Sequence, residues 1–207
     1  MDSYITVKEA SSFTFEDRKS KFYGFCAPVR TEEEAVAFIN AVKKKYPDAR
    51  HWVYAYVLRE NNATRFTDDR EPQGTAGMPV LDVIRKNGCT DVVIVVVRYF
   101  GGILLGTGGL VHAYTEAALG ALKNASIIRY SVYASISATF TYSDYQKVIP
   151  LLDSCDFKTE DVEYLDVVTV FGNLPCEKRP ELEEKVAEAT SARAEIILID
   201  EKYCYRE

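Results

Sequence analysis

The sequence lacks several features that would assign a class at once. It has no long apolar run: the longest aliphatic stretch is Val92 to Val97, against the roughly 20 residues a membrane helix needs. No basic start followed by an apolar block opens the chain, so no signal peptide and no membrane association are expected, and a cytoplasmic location is. Histidine is scarce: His51 and His112 are alone, too few for a His-rich metal site. The five cysteines, Cys26, Cys89, Cys155, Cys176 and Cys204, are odd in number and form no CxxC pair. This argues against a disulfide framework or a zinc site and predicts small buried thiols in a reducing compartment. No metal and no cofactor is expected. Nor is there an excess of positive charge: the net charge of −6 argues against a polycation that coats DNA. Pro/Gly-rich and Ser-rich linkers are missing too.

What is present is a chain of 207 residues that is 47% hydrophobic, enough for a sizeable core. Its periodicity changes near residue 130. The first part reads as alternating strands and helices. Strands are expected at 19–29, 51–58 and 91–100, and helices at 32–46, 75–88 and 108–125. Thr31 suits the N-cap of the first helix, whose apolar positions Ala35, Phe38, Ile39 and Val42 share one face. Pro79 belongs in the first turn of the second helix. The second part reads βαββαβ, with strands at 131–142, 158–166, 167–174 and 194–200 and helices at 144–155 and 177–191. That order is the ferredoxin-like pattern, an antiparallel sheet with two helices on one face. The chain is thus expected to be α+β with two domains, 1–130 and 131–207. Residues 1–130 carry 17 Lys/Arg and 15 Asp/Glu, whereas residues 131–207 carry 8 and 16. An anionic ligand is expected to meet the first domain.

Two stretches could carry chemistry. RYFGGILLGTGGLVHAY, Arg98 to Tyr114, holds Gly101, Gly102, Gly106, Gly108 and Gly109. A phosphate-binding P-loop needs a lysine where Thr107 stands, and a dinucleotide fingerprint needs a third glycine where Val111 stands. Two readings remain: a helix N-terminus near Gly108 whose free N–H groups suit an anion, or a tight turn that lets helix and sheet approach closely. His112 could donate to a phosphate or act as a base, but a surface helical histidine is the commoner case. Tyr99, Phe100 and Tyr114 bracket the glycines, where aromatic rings could stack bases of single-stranded nucleic acid.

The second stretch, RFTDDREPQGTAGMP from Arg65 to Pro79, sets Asp68, Asp69 and Glu71 beside Gly74, Thr75 and Gly77. Its acids could bind magnesium or do acid–base work. They could equally be helix-start chemistry, with Thr75 as the cap. Alternatively, Arg98, at the end of a buried strand, needs a carboxylate, and one of these acids would tie the two stretches together.

DDREPQGTAGMPVL followed by VVVRYFGGILLGTGGLVHAY resembles the IMPACT family, and the layout of the whole chain is similar to its bacterial YigZ branch. The resemblance implies a first domain with a two-layer α/β fold like domain IV of elongation factor G. It implies a second, ferredoxin-like domain similar to domain V of that factor. It also implies binding of nucleic acid or association with the ribosome, with a role in translation or stress regulation. The starvation-kinase role of eukaryotic IMPACT depends on an extra N-terminal domain and is not carried across. Three positions depart from the family pattern. Arg70 stands where a glycine usually follows the paired acids, His112 stands where an arginine precedes Ala-Tyr, and Val53 or a neighbour replaces a cysteine of the His51 strand.

The leading expectation is a nucleic-acid- or ribosome-binding protein rather than an enzyme. Its anion-binding face would comprise Arg98, the five glycines, Thr107 and His112, with Arg65 and Arg70 at the rim. Asp68, Asp69, Glu71, Gly74, Thr75 and Gly77 would form the opposing acidic loop. The alternatives are a metal-assisted hydrolase of a phosphorylated small molecule and a regulatory module whose protein partner meets the acidic second domain.

Overall fold

A computed structural model describes residues 3–205. Its elements run β1 (Tyr4–Val7), β2 (Ser11–Asp17), β3 (Ser20–Pro28), α1 (Glu32–Lys45), β4 (His51–Val57), β5 (Thr64–Thr67), α2 (Gly77–Lys86), β6 (Val92–Tyr99) and α3 (Gly106–Asn124). They continue with β7 (Ile127–Phe140), α4 (Tyr142–Ser154), β8 (Lys158–Tyr164), β9 (Val168–Pro175), α5 (Arg179–Thr190) and β10 (Glu195–Tyr205). The chain divides into two compact units, Tyr4–Arg129 and the segment from Tyr130 onward. The fold is α+β in both. Among the described residues no helix is long and apolar enough to cross a membrane.

In the first unit the sheet order is β2-β3-β6-β4-β5, and each neighbouring pair is antiparallel. β6 is central and buried on both faces, which explains its unbroken apolar composition. Val92, Ile94 and Val96 join one core with α2 and α3. Val93, Val95 and Val97 join another with Ala35, Ile39 and Val42 of α1. Helices therefore cover both faces, and α1 adds a third layer to the two expected. The side chain of Thr31 caps α1 by accepting from the Glu34 N–H, with acids in the first turn and lysines in the last.

β2 and β5 escaped the sequence reading. Both are edge strands: β2 alternates with its partly buried side toward the core, and β5 is only four residues long. A weak alternation at an edge is indistinguishable from a loop. α3 also begins two residues before the expected Gly108.

The second unit has the βαββαβ order, with strands β10-β7-β9-β8 all antiparallel. Ile136 and Phe140 of β7 and Val170 and Leu174 of β9 pack with Val148 and Leu152 of α4 and Leu182 and Val186 of α5. Pro150 lies inside α4 at an exposed position and does not end the helix. Cys26, Cys89 and Cys155 are buried, and Cys176 and Cys204 partly so. Burial pushes the Cys26 and Cys89 thiols up, Cys89 to about 11, so both stay protonated and unreactive.

Candidate anion-binding face of the first unit

Three residues form a row across adjacent strands: Phe22 of β3 pairs with Arg98 of β6, which pairs with His51 of β4. By strand alternation with Val53 and Val96, all three lie on the face that α2 and α3 cover. Glu71 stands over this row and is buried, as is Arg98. Arg98 Nη1 donates to Glu71 Oε1 at 2.6 Å and the Tyr114 hydroxyl donates to the same oxygen at 2.8 Å. His51 Nε2 is 3.8 Å from it. The acidic loop and the glycine-rich stretch are thus joined through Glu71, by hydrogen bonds from Arg98 and Tyr114. Among the described residues Arg98 Nε finds no hydrogen-bond acceptor. Instead the guanidinium carbon lies 5.5 Å from the Phe22 ring and 5.7 Å from the Phe100 ring, a cation–π environment. Burial, then the Glu71 charge, pushes the Tyr114 hydroxyl well above its usual 10. It stays protonated and keeps donating.

The other two acids of the loop organise backbone. Asp68 Oδ1 accepts from the Ala76 and Gly77 N–H groups at 3.0 and 2.8 Å, and its Oδ2 from Gly74 N–H at 2.9 Å. Asp68 therefore caps α2 from outside the helix, and Thr75 does not: its hydroxyl donates to Pro72 O at 2.6 Å. Asp69 Oδ2 accepts from Trp52 N–H at 2.7 Å. Arg70 adopts a φ of 70°, next to Asp69 at 40°. The left-handed conformation usually given to glycine is kept here by an arginine, at a cost in backbone strain. Gly77 is sterically required, because a Cβ there would meet Thr67 O at 2.5 Å. With every carboxylate engaged by protein donors, the loop does not offer a free set of oxygens to a cation. Among the described residues no group of three or more His, Cys, Asp or Glu could hold a metal ion.

The five glycines of the second stretch serve different ends. A Cβ on Gly101 would lie 2.0 Å from the Lys19 carbonyl carbon, and its N–H donates to Ser20 Oγ. Gly102 and Gly106 have φ of 84° and 73°. Gly109 is tight against Leu105, whereas a Cβ on Gly108 would meet nothing within 4 Å. The first turn of α3 has no side-chain cap and no acidic residue. Gly106, Thr107 and Gly108 are exposed, so this helix end presents its N–H groups to solvent. His112 is exposed one turn on, edge-to-face with Phe15 at 6.0 Å. Arg70 is exposed and its Nη2 donates to Arg50 O. Arg98 is buried beneath the turn instead of lining its surface. Arg65 does not sit at this rim: it pairs with Tyr56 in register, on the α1 face, and its Nε is 3.5 Å from Glu32. His51, Phe22 and Ser20 were missed as members of the arrangement. Only strand register, which places His51 and Phe22 beside Arg98, could have found them.

A three-layer α/β unit followed by a ferredoxin-like unit, with two glycine-containing stretches locked by a buried Glu–Arg pair, defines a two-domain α+β class. Residues 18–122 match the sequence model of the Impact N-terminal domain, and residues 139–193 match a domain of unknown function, DUF1949. IMPACT family member YvyE of Bacillus subtilis is 33% identical over 95% of this chain and 91% of its own length. IMPACT family member YigZ of Escherichia coli is 33% identical over 97% of this chain and 100% of its own. A crystal structure described as that of a hypothetical protein, 33% identical, superposes with a TM-score of 0.60 and covers 97% of this chain and 98% of that one. The chain belongs to the IMPACT family.

Proposed function

We propose that the first unit binds the phosphate backbone of nucleic acid, and that the protein is a cytoplasmic, RNA- or ribosome-associated regulator of translation or stress. The observation that carries this reading is Gly108. It has neither a positive φ nor a neighbour that would exclude a side chain, yet it weakens the start of α3 relative to alanine. A glycine without a folding reason, on an exposed and uncapped helix N-terminus, suits close approach of a phosphate to backbone N–H groups. Arg18 and Lys19, in the turn before β3, add positive charge beside the glycine turn: Arg18 Nη1 donates to Leu104 O at 3.4 Å. The buried Glu71–Arg98–Tyr114 cluster acts as the rigid support.

Filter binding to single-stranded and structured RNA across a salt series tests this. Affinity should fall log-linearly with salt, and Gly108→Ala should weaken it several-fold while leaving the fold intact. Salt-insensitive binding, or binding unchanged in Gly108→Ala, would overturn the reading.

A second reading, docking of a protein partner on the second unit, is favoured by β10. Ile197 and Ile199 are 51% and 58% exposed there, and among the described residues this strand pairs with β7 alone. Exposed apolar edge strands invite strand addition. Replacing both isoleucines with lysine should abolish any capture that depends on this edge.

A further inference from the structure

A hollow of about 510 Å³ opens at the start of β4, lined by Ala49, Arg50, His51, Trp52 and Arg70. From its charge and its strained backbone, we infer that it is a binding site for a phosphomonoester dianion. Arg50 and Arg70 are both exposed. Among the described residues the Arg50 guanidinium has no ion pair or hydrogen bond, and only its carbonyl is engaged, by Arg70 Nη2 at 2.7 Å. That bond steers the Arg70 side chain toward Arg50 and uses one of its five N–H donors.

The carboxylate that reaches this group is already shared. Asp69 Oδ2 accepts from Trp52 N–H, and its Oδ1 lies 3.7 Å from Arg70 Nε. His51 Nδ1 is 2.8 Å from Asp69 O, and its Nε2 faces Glu71. The hollow is therefore lined by two arginines, beside one partly neutralised acid. Two cations in one concavity match a dianion better than the single charge of a backbone diester.

The backbone gives the second observation. Asp69 and Arg70 are consecutive left-handed residues, and glycine would hold the Arg70 conformation without strain. The loop keeps a strained arginine among the residues that line the hollow, as strain retained at a binding site would be.

None of the residues lining this hollow belongs to α3, and loss of RNA backbone binding would leave the site standing. Calorimetric titration of the full chain with inorganic phosphate, with AMP, and with an RNA oligomer bearing either a 5′-phosphate or a 5′-hydroxyl tests it. Phosphate and AMP should bind. Arg70→Gly should weaken both about tenfold, the loss of charge-assisted hydrogen bonds, yet raise the melting temperature by relieving the strain. Arg50→Ala should weaken both by a similar factor. A preference for the 5′-phosphate oligomer assigns the dianion to a chain end, and equal binding of the two oligomers assigns it to a small molecule. No binding of phosphate or AMP, or affinities unmoved by Arg70→Gly and Arg50→Ala, would overturn the site.

Discussion

Each unit buries a carboxylate and answers it with an arginine, but the two pairs are built in opposite ways. Glu71 of the first unit comes from a loop, and its partner is buried with it: the side chains of Glu71 and Arg98 are 4% and 7% exposed. Asp144 of the second unit sits in the first turn of α4 with its side chain 2% exposed, but Arg193 reaches it from a position 54% exposed. Arg193 Nη2 lies 2.9 and 3.0 Å from the two Asp144 oxygens, and Thr141 and Lys147 donate as well. The first pair has left water, and Tyr114 alone adds a neutral donor to Glu71 among the described residues. The second keeps one partner in water and spreads the charge over several donors. The first should therefore be brittle and the second forgiving.

The largest effect should come from breaking the sealed pair. Arg98→Met leaves Glu71 buried without its cation, a change that costs about 3–5 kcal/mol, and should lower the urea midpoint correspondingly. Arg193→Met leaves Asp144 with Thr141 and Lys147 and should move the midpoint by much less. Equal shifts for the two variants would remove the distinction.

Next in size is Tyr114→Phe, which removes one neutral donor to a charged acceptor at a cost of about 1.5–3 kcal/mol. It also has a pH signature. The native hydroxyl titrates well above 10, raised by burial and by Glu71, while the unfolded chain releases this proton near 10. Wild-type stability should be fully present below pH 10 from this group and decline above it. Tyr114→Phe should flatten that alkaline decline.

Asp144 gives the opposite limb. Burial alone would raise its carboxyl, but hydrogen bonds from Arg193, Thr141 and Lys147 outweigh it and hold the group below its ordinary 3.8. Its contribution is therefore present above the unfolded value and lost as pH falls through the lower native value. Asp144→Asn should remove part of the acid-dependent loss of stability and leave the alkaline limb unchanged. Unfolding midpoints measured from pH 2 to 11 read both limbs on one preparation.

Much of this architecture was legible because it rests on periodicity. The apolar run of β6, the amphipathic α1 and the βαββαβ order each follow from burial on stated faces. The site was legible only in part. A buried arginine at the end of β6 called for a carboxylate, and the acidic loop was the nearby source. Spacing alone could not choose among Asp68, Asp69 and Glu71, because Asp68 and Asp69 turn to backbone N–H groups. Thr75 looked like a helix cap, yet a more distant carboxylate won those donors. Arg65 looked like a neighbour of Arg70 in sequence, but strand alternation sends it to the opposite face. Such outcomes depend on contacts between segments, which local sequence does not encode.

The glycines sharpen the comparison at its smallest scale. In sequence Gly101 and Gly108 look alike, but only Gly101 is held by the fold, with the Lys19 backbone 2.0 Å from where a Cβ would stand. Gly101→Ala should therefore displace the turn before β3, whereas Gly108→Ala should raise stability by up to about 1 kcal/mol through helix propensity. A side chain at Gly108 would project into open space that a bound phosphate backbone would need. The variant should then gain in thermal stability and lose in RNA affinity, a divergence that a purely structural glycine cannot produce.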